Sequence, residues 1–98
     1  MERFSARSID ELNRIVIHSE LRQKIGLETG CKVSLQTVDT VVIIRRIETE
    51  PESSCFASQI CELGMVELPA KLQKQMGWKV ADKIALYNTD NLIILKTA

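Results

Sequence analysis

The sequence lacks a long apolar run, an excess of charge of either sign, and more than a few aromatic residues. Of its 98 residues 4% are aromatic, and 13 basic side chains balance 13 acidic ones. No apolar run approaches the roughly 18 residues that span a membrane, and no signal-peptide core is present. The balanced charge excludes a disordered acidic or basic tail and opposes strong, diffuse nucleic-acid binding. We expect one globular cytoplasmic domain without a membrane partner.

Cysteine and histidine are also scarce, which limits covalent and metal chemistry. Cys31, Cys55 and Cys61 are odd in number and form no Cys-x-x-Cys pair, so they predict packing roles rather than a disulfide framework. The single histidine, His18, has no cysteine or carboxylate at ligand spacing. Neither a glycine-rich phosphate loop nor a nucleophile elbow occurs. The sequence therefore predicts no enzyme activity, no metal and no cofactor.

What the sequence does contain is an internal repeat. A shift of 51 residues aligns 9–47 with 60–98 without a gap, and nine of the thirty-nine pairs are identical. Eight further pairs exchange one apolar residue for another. The match predicts two copies of one structural unit: a first unit (1–47) and a second unit (55–98), joined by an acidic, proline-containing linker (48–54).

The residue pattern of each unit predicts the element order β-β-α-β-β. In the first unit we expect strands at 3–9 and 14–17, a helix at 19–25, and a hairpin formed by 32–37 and 40–47. The second unit repeats this order, with a helix at 70–76 that begins next to Pro69. A unit of about 45 residues buries too little apolar surface to be stable alone. The units should therefore pair, either within one chain or between two.

The segment from Arg7 to Leu27 resembles the N-terminal DNA-binding domain of the AbrB/MazE/SpoVT superfamily. The second unit matches the same pattern less fully. The residues of the first unit that fit the pattern are Asp10, Leu12, Arg14, Ile15, Ile17, Leu21, Arg22, Gly26 and the apolar run 41–44. The resemblance implies a mainly β fold with short helices, namely a swapped-hairpin β-barrel that is normally built from two chains. It also implies a transcriptional regulator that acts as a homodimer and binds double-stranded DNA.

The resemblance also assigns candidate DNA-binding residues in the first unit. The matching positions are Arg7, Arg14 and Arg22, and Lys24 and Lys32 add phosphate attraction. Arginine suits this role because its planar fork bonds bidentately to guanine or phosphate. Arg7 and Arg14 flank one turn, so adjacent strands would bring them together. The alternative is that these arginines are solvated or pair with nearby carboxylates, those of Asp10, Glu11 and Glu20.

Charge is divided unevenly between the units. Residues 1–47 carry 8 basic and 6 acidic side chains, net +2, whereas residues 48–98 carry 5 and 7, net −2. All six arginines lie in the first 46 residues. We interpret Arg45 and Arg46, at the end of the first hairpin, as a solvated face. The second unit is expected to complete the fold or to provide contacts in a homodimer.

Two other functions are compatible with the same fold. One is an antitoxin-like component, although a toxin-binding tail after the last predicted strand is not seen in the sequence. The other is a protein-interaction module whose second unit binds an unknown protein partner, without DNA binding. The zero net charge keeps this second possibility open.

Overall fold

The computed structural model describes residues 2–47, 55–89 and 91–98, with side chains from residue 5 onward. The predicted linker 48–54 lies outside the described residues. The β-β-α-β-β order occurs twice, as predicted. The strands are β1 (Glu2–Ser8), β2 (Arg14–Val16), β3 (Lys32–Val38), β4 (Val41–Arg46), β5 (Phe56–Gln59), β6 (Met65–Glu67), β7 (Lys83–Asn88) and β8 (Ile93–Thr97). The helices are α1 (Ser19–Ile25) and α2 (Ala70–Met76).

Both helices have the predicted bounds, and glycine explains where they end. Gly26 and Gly77 follow the last helical residues with φ of 72° and 70°, a left-handed conformation that costs glycine little. Each helix directs a leucine, Leu21 or Leu72, into the core. Pro69 is the residue before α2 and not its first helical residue. Its fixed φ still suits the helix entry.

The two units interleave in one six-stranded antiparallel sheet with the order β1-β7-β8-β4-β3-β5. The β7–β8 hairpin of the second unit lies between β1 and β4 of the first. Conversely, the β3–β4 hairpin of the first unit lies between β8 and β5 of the second. A second, two-stranded sheet pairs β2 with β6. The units therefore pair with each other within the chain, which the sequence left open.

The strand registers show that the two units are related by a pseudo-twofold axis. Ile43 of β4 lies opposite Ile94 of β8, and Ile15 of β2 lies opposite Val66 of β6. Both pairs join residues 51 positions apart, so each residue meets its own counterpart in the other unit. Loop hydrogen bonds repeat in the same way, since the 10–14 and 61–65 backbone bonds are both 2.9 Å. Positions related by 51 residues thus occupy equivalent environments.

One apolar core joins the two units. Its members come from both sheets and both helices, and Trp78 is among them, as the alignment with Leu27 predicted. The predicted closed β-barrel is not seen in the described residues: the six-stranded sheet ends at β1 and β5, and the β2–β6 pair forms a separate sheet. The short three-residue strands β2 and β6 limit the ladder that could close it. No helix among the described residues is long and apolar enough to cross a membrane.

Candidate functional site

Arg14, at the start of β2, is held by Asp10 of the preceding turn. Its Nε donates to Asp10 Oδ2 at 3.1 Å. Asp10 Oδ1 accepts the backbone N–H groups of Leu12 at 3.0 Å and Arg14 at 2.8 Å. Burial raises the pKa of Asp10, but these backbone bonds and the Arg14 guanidinium together lower it below 3.8. Asp10 thus caps two backbone amides of its turn, and its pairing with Arg14 is the alternative that the sequence left open for this arginine.

Arg22, on α1, contacts the turn of the second unit. Its Nε donates to the carbonyl oxygen of Ile17 at 3.0 Å, and its guanidinium lies against Gly64. A Cβ atom on Gly64 would come within 2.8 Å of Arg22 Nη2 and 2.9 Å of Cζ. Gly64 has a φ of 71°, so this position favours glycine both for its backbone and for the space it leaves.

The pseudo-equivalent contact uses different residues. Gln73 on α2 stands where α1 has Arg22, and Asn13 stands where the second turn has Gly64. Gln73 Nε2 donates to Asn13 Oδ1 at 3.1 Å, and Asn13 has a φ of 60°. Each helix therefore contacts the turn of the other unit. Arg22, the longer helical side chain, faces Gly64, which has no side chain. Gln73, which is shorter, faces the side chain of Asn13.

Arg7, on the edge strand β1, takes a partner that the sequence did not indicate. Its Nε donates to His18 Nε2 at 3.1 Å, and its Nη2 lies 2.7 Å from the same nitrogen. Arg7 and Arg14 therefore engage separate partners, His18 and Asp10. Arg7 lies beside the residue that precedes α1, whereas Arg14 lies beside the 10–13 turn. Lys24 is exposed in the last turn of α1.

Several basic side chains surround the loop formed by residues 26–31, between α1 and β3. A cleft of about 960 Å³ is lined by Arg14, Lys32 and this loop. A second cleft of about 480 Å³ is lined by Arg22 and the same loop. A third, of about 320 Å³, is bordered by Lys32 and Arg46. Because Thr29 lines all three clefts, these cations belong to one face.

Arg45 and Arg46 extend this face along the end of β4. Both are exposed, and together they line a cleft of about 410 Å³. Arg46 approaches the 26–31 loop closely, since a Cβ on Gly26 would lie 3.4 Å from its Nη1. Sequence reasoning set these two arginines apart from the candidate site. The signal that joins them to it is the β3–β4 register, which places Arg46 opposite Val33, next to Lys32.

The face also carries acidic side chains. Glu28 lies in the 26–31 loop and lines the second and third clefts, and Glu62 and Glu67 line the largest. The positive charge is therefore local to Arg22, Lys32, Arg45 and Arg46 rather than spread over the whole face. Among the described residues no group of three or more histidine, cysteine, aspartate or glutamate side chains is placed to hold a metal ion.

At the positions that carry cations in the first unit, the second unit has few, and its lysines Lys71, Lys74 and Lys79 stand where the first unit has Glu20, Gln23 and Glu28. The residues at the positions equivalent to Arg7, Arg14, Arg22, Lys24, Lys32, Arg45 and Arg46 are Ser58, Met65, Gln73, Gln75, Lys83, Lys96 and Thr97. Seven cationic positions in the first unit thus correspond to two in the second. Since the backbone hydrogen bonds around these positions repeat, the fold itself does not require cations there.

Comparisons with known proteins identify a fold but no family. No protein-family model matches the sequence, and no curated protein matches it. The chain is similar to the solution structure of PHS018 from Pyrococcus horikoshii, with a TM-score of 0.55 and 21% sequence identity. The match covers 98% of this chain and 91% of that one. At this identity the similarity shows a shared fold alone.

Proposed function

We propose that this protein is a sequence-specific transcriptional regulator that binds double-stranded DNA through the arginines of its first unit. The observation that carries the proposal is that all six arginines lie in one half of a pseudo-symmetric scaffold. At the positions equivalent to Arg7, Arg14 and Arg22, the second unit has Ser58, Met65 and Gln73. A binding role accounts for the presence of guanidinium groups at positions where the repeated backbone also accepts other side chains.

The proposal includes an AbrB-like swapped-hairpin architecture formed by one chain. Two features support it: the β-β-α-β-β order of each unit, and the placement of each unit's last hairpin between strands of the other. In this arrangement the two units supply what two chains supply in the superfamily that the sequence resembles.

Arg14 and Arg22 are oriented for contacts with DNA bases. Each guanidinium is fixed through Nε, by Asp10 and by the Ile17 carbonyl respectively. Within the described residues, the terminal Nη1 and Nη2 atoms of both side chains have no hydrogen-bond partner. A guanidinium held in this way loses less conformational entropy on binding than a free one. Its paired nitrogens match the O6 and N7 acceptors of guanine, and Lys24 on the same helix adds attraction to phosphate.

We further propose that the chain acts as a homodimer. Each chain presents one arginine-bearing face, and its extents of 29 × 28 × 27 Å are shorter than the roughly 34–36 Å between half-sites one helical turn apart. Two chains are therefore needed for a palindromic site. The mass of the complex with a palindromic duplex tests this. A strict monomer that binds the palindrome tightly would contradict it.

The test of DNA binding uses substitutions that copy the second unit. Binding to a pool of random duplexes across a salt series is compared for the unmodified protein, Arg14→Met and Arg22→Gln. Loss of a bidentate base contact costs about 1–3 kcal/mol, so affinity for the enriched sequence should fall roughly 5- to 150-fold. Lys74→Gln is the matched control: it removes one exposed charge from α2 and copies Gln23 of α1.

The opposite outcome is equally informative. If the folded protein binds no duplex even at low salt, the DNA-binding proposal is wrong. The protein-interaction module then becomes the leading interpretation, and a partner for the second unit should be sought.

A further inference from the structure

Three cations at the open end of the β3–β4 hairpin differ from the other arginines of the first unit. Lys32, Arg45 and Arg46 are exposed, and within the described residues their side chains make no hydrogen bond or ion pair. By contrast, the guanidiniums of Arg14 and Arg22 are each fixed through Nε. The first unit thus carries two kinds of cation: fixed ones and uncommitted ones.

The two kinds lie on one continuous face. Lys32 borders the largest cleft together with Arg14, and it borders another together with Arg46. The 26–31 loop lies between these two clefts and the cleft that Arg22 lines, and it contributes residues to all three. Arg45 and Arg46 are consecutive on β4, so their side chains leave the strand in opposite directions. The three cations therefore surround the end of β4, which borders the face that contains Arg14 and Arg22.

This difference suits two roles in DNA recognition. Phosphate contacts need positive charge at the edge of an interface and little directional precision, whereas base contacts need a side chain of fixed orientation. From this arrangement we infer that Lys32, Arg45 and Arg46 form a phosphate-binding cluster for the backbone of duplex DNA, flanking the base-reading Arg14 and Arg22. The inference rests on the proposed DNA-binding function and replaces the interpretation of Arg45 and Arg46 as a merely solvated face.

The pseudo-twofold axis supplies a matched control. Lys83 and Lys96 are the equivalents of Lys32 and Arg45 in the second unit, and both are exposed. The double variants Lys32→Gln/Arg45→Gln and Lys83→Gln/Lys96→Gln therefore remove the same net charge from equivalent strand positions. Any difference between them reports where the DNA lies and not the charge of the whole protein.

The experiment measures affinity against salt concentration for two duplexes of equal length, the enriched sequence and an unrelated one. Each phosphate contact contributes about 0.9 to the slope of log affinity against log salt. Lys32→Gln/Arg45→Gln should therefore reduce the slope by about 1.8 and weaken both duplexes by the same factor. Their affinity ratio should stay unchanged, whereas Arg22→Gln should lower that ratio. Thermal melts establish that each variant is folded.

The outcomes separate the two proposals. A slope that falls equally in the Lys83→Gln/Lys96→Gln control, or in neither variant, would overturn the phosphate cluster while DNA binding stands. A collapse of the affinity ratio in Lys32→Gln/Arg45→Gln would also overturn it, because that result assigns these residues to base reading. If the unmodified protein binds neither duplex, both proposals are wrong.

Discussion

The contact between Arg22 and Gly64 makes a quantitative prediction for Gly64→Ala. The new Cβ would occupy a left-handed backbone position, which costs about 1–2 kcal/mol for a residue with a side chain. It would also lie 2.8 Å from Arg22 Nη2, so the guanidinium must move. Its bond to the Ile17 carbonyl, worth about 1 kcal/mol, is then lost. We expect a total destabilisation of about 2–3 kcal/mol.

Gly77→Ala separates the backbone cost from the steric one. Gly77 has nearly the same φ, 70°, but a Cβ there meets nothing within 4 Å. That variant should lose only the backbone part, about 1–2 kcal/mol. At about 4–8 °C per kcal/mol for a domain of this size, Gly64→Ala should melt roughly 10–20 °C below the unmodified protein, and Gly77→Ala should melt between the two.

Repeating Gly64→Ala in an Arg22→Gln background completes the test. The shorter side chain leaves room for the Cβ, so the cost of Gly64→Ala should fall by about 1 kcal/mol in urea unfolding. Independent sites are additive to within about 0.3–0.5 kcal/mol. If the cost of Gly64→Ala agrees within that range in both backgrounds, Arg22 is not packed against Gly64, and the account of this contact is refuted.

Two further predictions concern the loss of stability at low pH and the equal packing of the two units. Because the pKa of Asp10 is lowered by folding, its ionised form stabilises the protein above about pH 4, and this contribution is lost as the pH falls through the folded pKa. Asp10→Asn should therefore be less stable than the unmodified protein at pH 6 in urea unfolding, and the gap should narrow as the pH falls below about 4. A gap that stays constant with pH would refute this. Leu21→Ala and Leu72→Ala, at equivalent and fully buried positions, should each cost about 2–5 kcal/mol. Thermal unfolding should give values within about 1 kcal/mol of each other, and a larger inequality would contradict equal packing of the two units.

The sequence predicted local structure better than contacts between the units. The helix bounds follow from apolar residues four apart and from the glycines after them, signals that act within one turn of the chain. The repeat likewise predicted that both units share one order of elements. Pairing between distant strands depends on which hairpin lies beside which strand, and alternating apolar residues permit several answers. The interleaved order was therefore found only in the structure.

The same limit applies to the candidate site. The sequence offered Asp10 as one of three alternative partners for the arginines, and the turn of four residues makes the Asp10–Arg14 contact a local one. It did not bring Arg7 to His18, which are eleven residues apart and meet through the return of the chain. One usable signal was overlooked: where the first unit has Asn13 and Arg22, the second has Gly64 and Gln73. These two differences occur together because the helix of each unit touches the turn of the other.

These paired differences also explain why each unit pairs with the other kind of unit. If two first units paired, Arg22 would face Asn13, whose side chain would occupy the space that glycine leaves open. If two second units paired, Gln73 would face Gly64 and lose the Oδ1 acceptor it now has. Pairing of two first units, or of two second units, loses a contact that pairing of a first with a second unit makes. The sequence therefore stabilises the observed pairing and also destabilises the two alternatives. Since the mixed pairing is satisfied within one molecule, each chain presents its arginine-bearing face once. In the homodimer proposed above, the second copy would therefore associate through surfaces outside this interleaved core.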